Sequence, residues 1–202
     1  MALEHATGSE TAAVEQVVEL TNTELLKGRW ERRDLERQIR HGDRHLYVAY
    51  EVDGEIECTE LDSIADAELR KEILGFTLTC VHTYEQMDAE LQVPVEDLFD
   101  REDFPMGMMK SLVVDPDARG QHVGTELGLT AVSETFVDDP RVDEAVTVVW
   151  VRPDHDANLE LVEHYGELVA EYDEYYGEGR DCPDCPGDDY CSCTFRIYRA
   201  PF

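Results

Sequence analysis

Lysine is scarce in this chain. Of its 202 residues only 17 are Lys or Arg, and three of these are lysines: Lys27, Lys71 and Lys110. Nucleic acid is therefore not an expected partner, because binding a phosphate backbone draws on clustered Lys and Arg. Long apolar runs are also missing, and none approaches the roughly 18 residues that read as a membrane helix. The N-terminal stretch MALEHATGSETAAVEQ has neither a basic start nor an apolar segment of signal length, so a cytoplasmic location with no membrane partner is expected. No internal repeat and no low-complexity segment interrupts the sequence. In a reducing compartment the six cysteines read as thiols or metal ligands before disulfides.

Carboxylate is what the chain has in plenty. Its 47 acidic residues give a formal charge of −30, spread along the whole length and mixed with apolar runs such as AVTVVWV, which argues for a folded protein with a solvated acidic shell rather than disorder. Such a shell repels itself at low salt and is screened in concentrated salt, where the Debye length falls to about 3 Å at 1 M. Scarce lysine, retained arginine and abundant carboxylate together resemble the proteins of extreme halophiles. With 42% hydrophobic residues, a single domain over 1–202 is expected, since domains hold roughly 100–200 residues.

Periodicity predicts a helix from Thr11 to Leu26 (Ala13, Val14, Val17, Val18, Leu20 and Leu25), with Ser9 and Glu10 suiting its start, and a more polar helix from Trp30 to Ile39. HLYVAYEV and EIECTEL around Asp53-Gly54 read as a hairpin. Residues 62–72 read as a short helix and Ile73 to Val81 as a buried strand. The acidic segment Glu85 to Phe104, broken by Pro94 and Pro105, reads as loop or short helices. MGMMKSLVV follows as a strand, Gly120 to Val137 as a helix, and Ala145 to Val151 as a strand buried on both faces. Asn158 to Val169 reads as an amphipathic helix with the stripe Leu161, Val162, Tyr165, Leu168 and Val169. A hairpin closes the chain, out along EYDEYY and back along TFRIYRA. Alternating strands and helices with a terminal hairpin predict a mixed α/β sheet.

The stretch most suggestive of chemistry is SLVVDPDARGQHVGTELGLTAV, Ser111 to Val132. A strand stops at Pro116, and Arg119 to Thr125 lead into a helix whose first amides lack intrahelical acceptors. Glycine lets the main chain approach a ligand closely, and the helix dipole favours negative charge there. A pyrophosphate fits such a cradle, although glycines at strand-turn-helix junctions also serve packing.

The run VVDPDARGQHVGTEL resembles the acetyl-CoA-binding motif of the GNAT superfamily of N-acetyltransferases, V-x-P-x-x-R/Q-G-x-G-x-G/A, which joins a strand to a helix. The resemblance implies a mixed, mostly antiparallel twisted sheet flanked by helices, here with a C-terminal hairpin carrying a cysteine-rich turn. It implies that Leu112, Val113 and Val114 offer main-chain groups to the pantetheine arm, and that Arg119, Gly120, Gln121, His122, Val123, Gly124 and Thr125 hold the pyrophosphate. One position departs: the middle glycine of the pattern is His122. Its side chain either starts the helix and points to solvent, or supplements phosphate binding, more so below its ordinary pKa of about 6.5.

Further on, PDHDANLELVEHYGEL places Tyr165 seven residues after Asn158. In the family an asparagine contacts the cofactor, and a tyrosine seven residues on protonates the leaving thiolate. The glycine expected four residues beyond that tyrosine is Val169 here. The chemistry suits these residue types: an amine attacks a thioester, and a phenol of pKa about 10 can protonate a departing thiolate whose conjugate acid lies near 8.5. Tyr165 could equally be a core residue of the apolar stripe. Where some relatives carry a basic glutamate, five residues before Asn158, this chain has Pro153. His82, Glu85 and a water chain remain candidates for the general base.

Lastly, Cys182, Cys185, Cys191 and Cys193 are spaced C-x2-C-x5-C-x-C. Four thiolates in a Pro- and Gly-rich turn would make a closed tetrahedral zinc site with zinc–sulfur distances of about 2.3 Å. Two disulfides or four free thiols are the alternatives. Cys58 and Cys80 lie in expected strands and read as buried apolar residues. Together these features predict an acetyl-CoA-dependent N-acetyltransferase acting on a small-molecule or protein amine, as a monomer or homodimer. The competing reading is a non-catalytic CoA- or zinc-binding regulatory module on the same scaffold.

Overall fold

The computed structural model describes residues 12–25, 30–40, 43–62, 69–91, 93–151, 159–173 and 194–202. Seven strands form one mixed sheet with neighbours in the order β2-β1-β3-β4-β5-β7-β6. They are β1 (Arg44–Val52), β2 (Glu55–Glu60), β3 (Ile73–His82), β4 (Met106–Val114), β5 (Glu144–Val151), β6 (Glu167–Asp173) and β7 (Thr194–Pro201). The α-helices are α1 (Ala13–Leu20), α2 (Arg32–Ile39), α3 (Tyr84–Glu90), α4 (Val123–Ala131) and α5 (Leu159–Tyr165). β1 pairs antiparallel with β2, and β7 antiparallel with both β5 and β6. β4 runs parallel to β5, with Gly107, Met108 and Met109 opposite Ala145, Val146 and Thr147. No helix among the described residues is long and apolar enough to cross a membrane.

The chain forms two compact units. One holds the residues up to Leu78 together with Ser111–Ala131, and the other holds Thr79–Lys110 with Val132–Phe202. The first unit has its core where α1 and α2 bury Val14, Val17 and Leu35 with Leu46, Val48 and Phe76 of the strands. A second cluster in the same unit packs Val123, Leu127 and Ala131 of α4 with Tyr47 and Ala49 of β1. The main core of the other unit joins Cys80, Met87, Phe99, Met106, Met108, Val146 and Ile197.

Local chemistry explains where the elements depart from their expected bounds. The predicted helix from Thr11 is α-helical over Ala13–Leu20 and then widens into a π turn, Thr21–Leu25. There Thr21 and Thr23 return their hydroxyls to the carbonyls of Val17 and Glu19, at 2.7 and 3.0 Å, the local competition that discourages threonine in helices. The second helix begins at Arg32, capped by Glu31 and Asp34. The acidic segment after β3 folds into α3, capped by Thr83 and Gln86, and two 3₁₀ turns, Val95–Asp97 and Arg101–Asp103. In β5, Ala145, Val146 and Val149 are buried while the remaining residues are half-buried, so the strand is less enclosed than its apolar run implies. The expected helix over 62–72 falls mainly on 63–68, outside the described residues.

The helix expected from Asn158 to Val169 stops at Tyr165, and Leu168 and Val169 belong to β6. Gly166 causes the exit. Its N–H closes the helix on the Val162 carbonyl at 2.8 Å, and a side chain there would meet the Tyr198 Cβ and the Val162 carbonyl oxygen, both at 3.2 Å. The chain turns from helix to strand at the one residue that fits.

Candidate functional site

The turn from β4 into α4 lies within the first unit. β4 ends at Val114, and the Asp115 N–H donates to the Leu74 carbonyl at 2.9 Å, which continues the sheet by one residue. The Asp115 side chain then accepts from the Asp117 amide at 2.8 Å and sets a 3₁₀ turn, Pro116–Ala118, with Pro116 at its start. Beyond it the backbone turns left-handed twice, at Gly120 (φ 77°) and at His122 (φ 65°). The helix opens only after this pair, three residues later than its expected start at Gly120. Its first bond runs from the Glu126 N–H to the His122 carbonyl at 3.0 Å, so the amides of Val123, Gly124 and Thr125 precede any intrahelical acceptor. Left-handed residues at such a junction tilt successive N–H groups toward one concavity, an arrangement that suits anions.

These two φ values explain the unusual histidine. The position calls for a left-handed residue, which glycine takes at little cost and histidine takes more readily than most side chains. His122 takes this left-handed backbone with its side chain exposed. Gly124 serves packing: a Cβ there would lie 3.4 Å from Val114 and 3.9 Å from Leu112, so the helix N-terminus rests on the end of β4. Gly75 of β3 lets β4 approach, because a side chain there would meet the Val113 carbonyl at 2.6 Å.

Arg119 is not loose at the rim. Its Nε donates to the Val114 carbonyl at 3.3 Å, and its Nη2 to Glu24 at 2.5 Å. Leu112, Val113, Val114, Arg119, Gly120, Gln121, His122, Val123, Gly124 and Thr125 are thus gathered in one unit as strand end, turn and helix start. Glu24, 95 residues before Arg119, escaped the sequence reading, since no spacing rule reaches across that separation.

Tyr165 belongs to the second unit. It is the last residue of α5 and is 57% exposed, which removes the reading of a core tyrosine. The His164 ring meets its ring edge-on, with centroids 4.7 Å apart. Asn158, its expected companion, lies outside the described residues, as do Cys182, Cys185, Cys191 and Cys193. Among the described residues no group of His, Cys, Asp and Glu is arranged to hold a metal. Of the other two expected strand cysteines, Cys80 is fully buried and Cys58 half-buried. Of the candidate bases, His82 is buried, with Nε2 3.2 Å from Cys80 Sγ. Glu85 is exposed and paired with Arg101 at 2.6 Å, and that bond holds its carboxyl below the usual range.

The chain has the fold of the N-acetyltransferases of the GNAT superfamily. Arabidopsis thaliana NAA60 bound to a bisubstrate analogue superimposes with a TM-score of 0.62 at 12% identity, covering 94% of each chain. The same plant protein with acetyl-CoA gives 0.57 at 11% identity, over 94% of this chain and 93% of that one. A GNAT-family protein of Desulfovibrio desulfuricans, itself described as a putative acetyltransferase, gives 0.54 at 12% identity, over 94% and 90%. No protein-family profile and no curated protein sequence matches the chain.

Proposed function

We propose that the protein is an acetyl-CoA-dependent N-acetyltransferase. The observation that carries this reading is the turn from β4 into α4. In a GNAT fold, it combines left-handed backbone at Gly120 and His122 with free helix-start amides at Val123 to Thr125. The amides would hold the cofactor pyrophosphate, and the end of β4, Leu112 to Val114, would lie along the pantetheine arm. Main-chain donors suit this surface, since they grip a phosphate without adding the basic side chains that the chain lacks.

The acceptor is a primary amine, free or at the end of a peptide; a bisubstrate analogue bound to the Arabidopsis neighbour supports an amine that meets the cofactor directly. The unprotonated nitrogen attacks the thioester carbonyl, the tetrahedral intermediate gives its ammonium proton to water and collapses, and the CoA sulfur leaves with the electron pair of the carbon–sulfur bond. Tyr165, exposed at the end of α5, would give its phenolic proton to that sulfur. Asn158, one residue before α5, would bind the cofactor. Cys182, Cys185, Cys191 and Cys193 would hold a structural zinc, which elemental analysis of chelator-free protein tests: about one equivalent is expected, and less than half an equivalent points to thiols or disulfides.

The test of the activity is an amine screen at molar salt, following release of the free CoA thiol together with the mass of the product. Release that depends on one amine class, with a gain of one acetyl group, is the expected result. A protein that binds acetyl-CoA yet acetylates no small amine, polyamine or peptide N-terminus would instead be a CoA-binding regulatory module.

A further inference from the structure

Resting on the acetyl-CoA reading above, we infer that Glu24 is a positioning residue for cofactor binding, which clamps one edge of the Arg119 guanidinium so that the rest of the fork stays aimed for a phosphate. Arg119 is the one Lys or Arg between Ser111 and Ala131, and it directly precedes the left-handed pair of the loop. Its Nε and Nη2 lie on the same side of the planar fork. That side is fully engaged, with Val114 and Glu24 as acceptors. Among the described residues nothing accepts from Nη1. The opposite end of the fork therefore still offers N–H groups, in an orientation that two fixed acceptors impose.

Glu24 can impose it because its own turn is braced. It sits in the π turn after α1, where Asn22 grips the main chain of Trp30 twice: its Oδ1 accepts from the Trp30 N–H at 2.7 Å, and its Nδ2 donates to the Trp30 carbonyl at 3.0 Å. Thr21 and Thr23 fasten the same turn to α1. Arg119 is exposed and Glu24 half-buried, with side-chain exposures of 38% and 23%. An arginine on so flexible a stem loses rotamer freedom when it binds a phosphate, and here Glu24 has already removed it. The carboxylate also repels the incoming phosphate. That repulsion acts across solvent and is screened by salt, whereas the direct contact is screened less. Clamping therefore outweighs repulsion in the salt that this surface calls for.

The opposite device, in which Glu24 competes with the phosphate for Arg119, predicts the opposite sign, and calorimetry separates the two. Acetyl-CoA and phosphate-free S-acetylpantetheine are titrated into the intact chain and its Glu24→Gln, Glu24→Asp, Arg119→Ala and Glu24→Gln/Arg119→Ala variants at molar salt. Glu24→Gln is expected to weaken acetyl-CoA binding about five- to tenfold, Glu24→Asp to restore most of it, and Glu24→Gln to have no effect once Arg119 is alanine or when the ligand is S-acetylpantetheine. Melting curves without ligand identify any variant that has lost its fold, and Glu24→Ala, expected to weaken binding as Glu24→Gln does, carries the comparison if Glu24→Gln has. Tighter or unchanged binding by Glu24→Gln, or equal weakening in the Arg119→Ala background, overturns the clamp while leaving the cofactor reading intact. If the unmodified chain binds no acetyl-CoA, both fall.

Discussion

Gly120 and His122, two residues apart, hold the same left-handed backbone, with φ of 77° and 65°. A left-handed conformation costs an L-residue roughly 1–2 kcal/mol, and glycine almost nothing. His122→Gly is therefore expected to leave stability unchanged or to raise it by up to about 1 kcal/mol, the gain being offset in part by the freer unfolded chain. A β-branched residue fits this region worst, so His122→Val should lower stability by about 1 kcal/mol or more. Thermal unfolding of the two variants at fixed salt checks the order, and equal melting temperatures would contradict it.

Gly75 holds the end of β4 in place. A methyl group there would lie 2.6 Å from the Val113 carbonyl oxygen and 3.1 Å from Leu127 of α4. Gly75→Ala is expected to cost about 1–3 kcal/mol, the usual penalty for overpacking, and to weaken cofactor binding by displacing Val113 and Val114. Denaturant unfolding with and without acetyl-CoA separates the two effects.

Tyr165→Phe removes only a hydroxyl from a residue 57% exposed. Stability should change by less than about 0.5 kcal/mol. If the phenol protonates the leaving thiolate, turnover on any acceptor should fall by about a hundredfold or more, while acetyl-CoA affinity stays within about twofold. An unchanged rate would remove Tyr165 from the mechanism.

Asp139 has its pKa lowered from 3.8 to about 2. The side-chain bonds from Arg141 contribute most, followed by the bond from its main-chain N–H. A depressed carboxylate stabilises the fold fully above its unfolded pKa, and this contribution disappears as pH falls through about 2. Arg141→Gln should raise the Asp139 pKa without restoring the ordinary value, because the amide bond remains. The variant should be less stable than the parent above pH 4 and approach it near pH 2. A carboxyl NMR titration, with acid unfolding of both proteins, reads both outcomes.

The elements that sequence revealed were those governed by neighbours along the chain. β4 has the bounds that its apolar run predicts, the Asp53-Gly54 turn joins β1 to β2, and a turn and a helix follow β4 as its sequence implies. Other features depend on contacts across the fold. Val169 looked like the continuation of a helix because its spacing fits the apolar stripe, but the close passage of Tyr198 and the Arg199 carbonyl over Gly166 ends the helix at Tyr165. The dipeptide Tyr165-Gly166 did carry that signal. Glu24 carried none, since its partner Arg119 is brought to it only where the π turn after α1 meets the turn after β4 within one unit. The left-handed backbone at His122 was not legible, since a histidine in place of the pattern's glycine reads as backbone suited to a side chain.

The turn from β4 into α4 is proposed to bind the phosphates of acetyl-CoA. Calorimetric titration of the intact chain at molar salt, with acetyl-CoA and then with S-acetylpantetheine, tests it most directly. Saturable binding of acetyl-CoA at one site per chain is expected, at least tenfold tighter than that of the phosphate-free thioester. No saturable heat, or equal affinity for the two ligands, would contradict it.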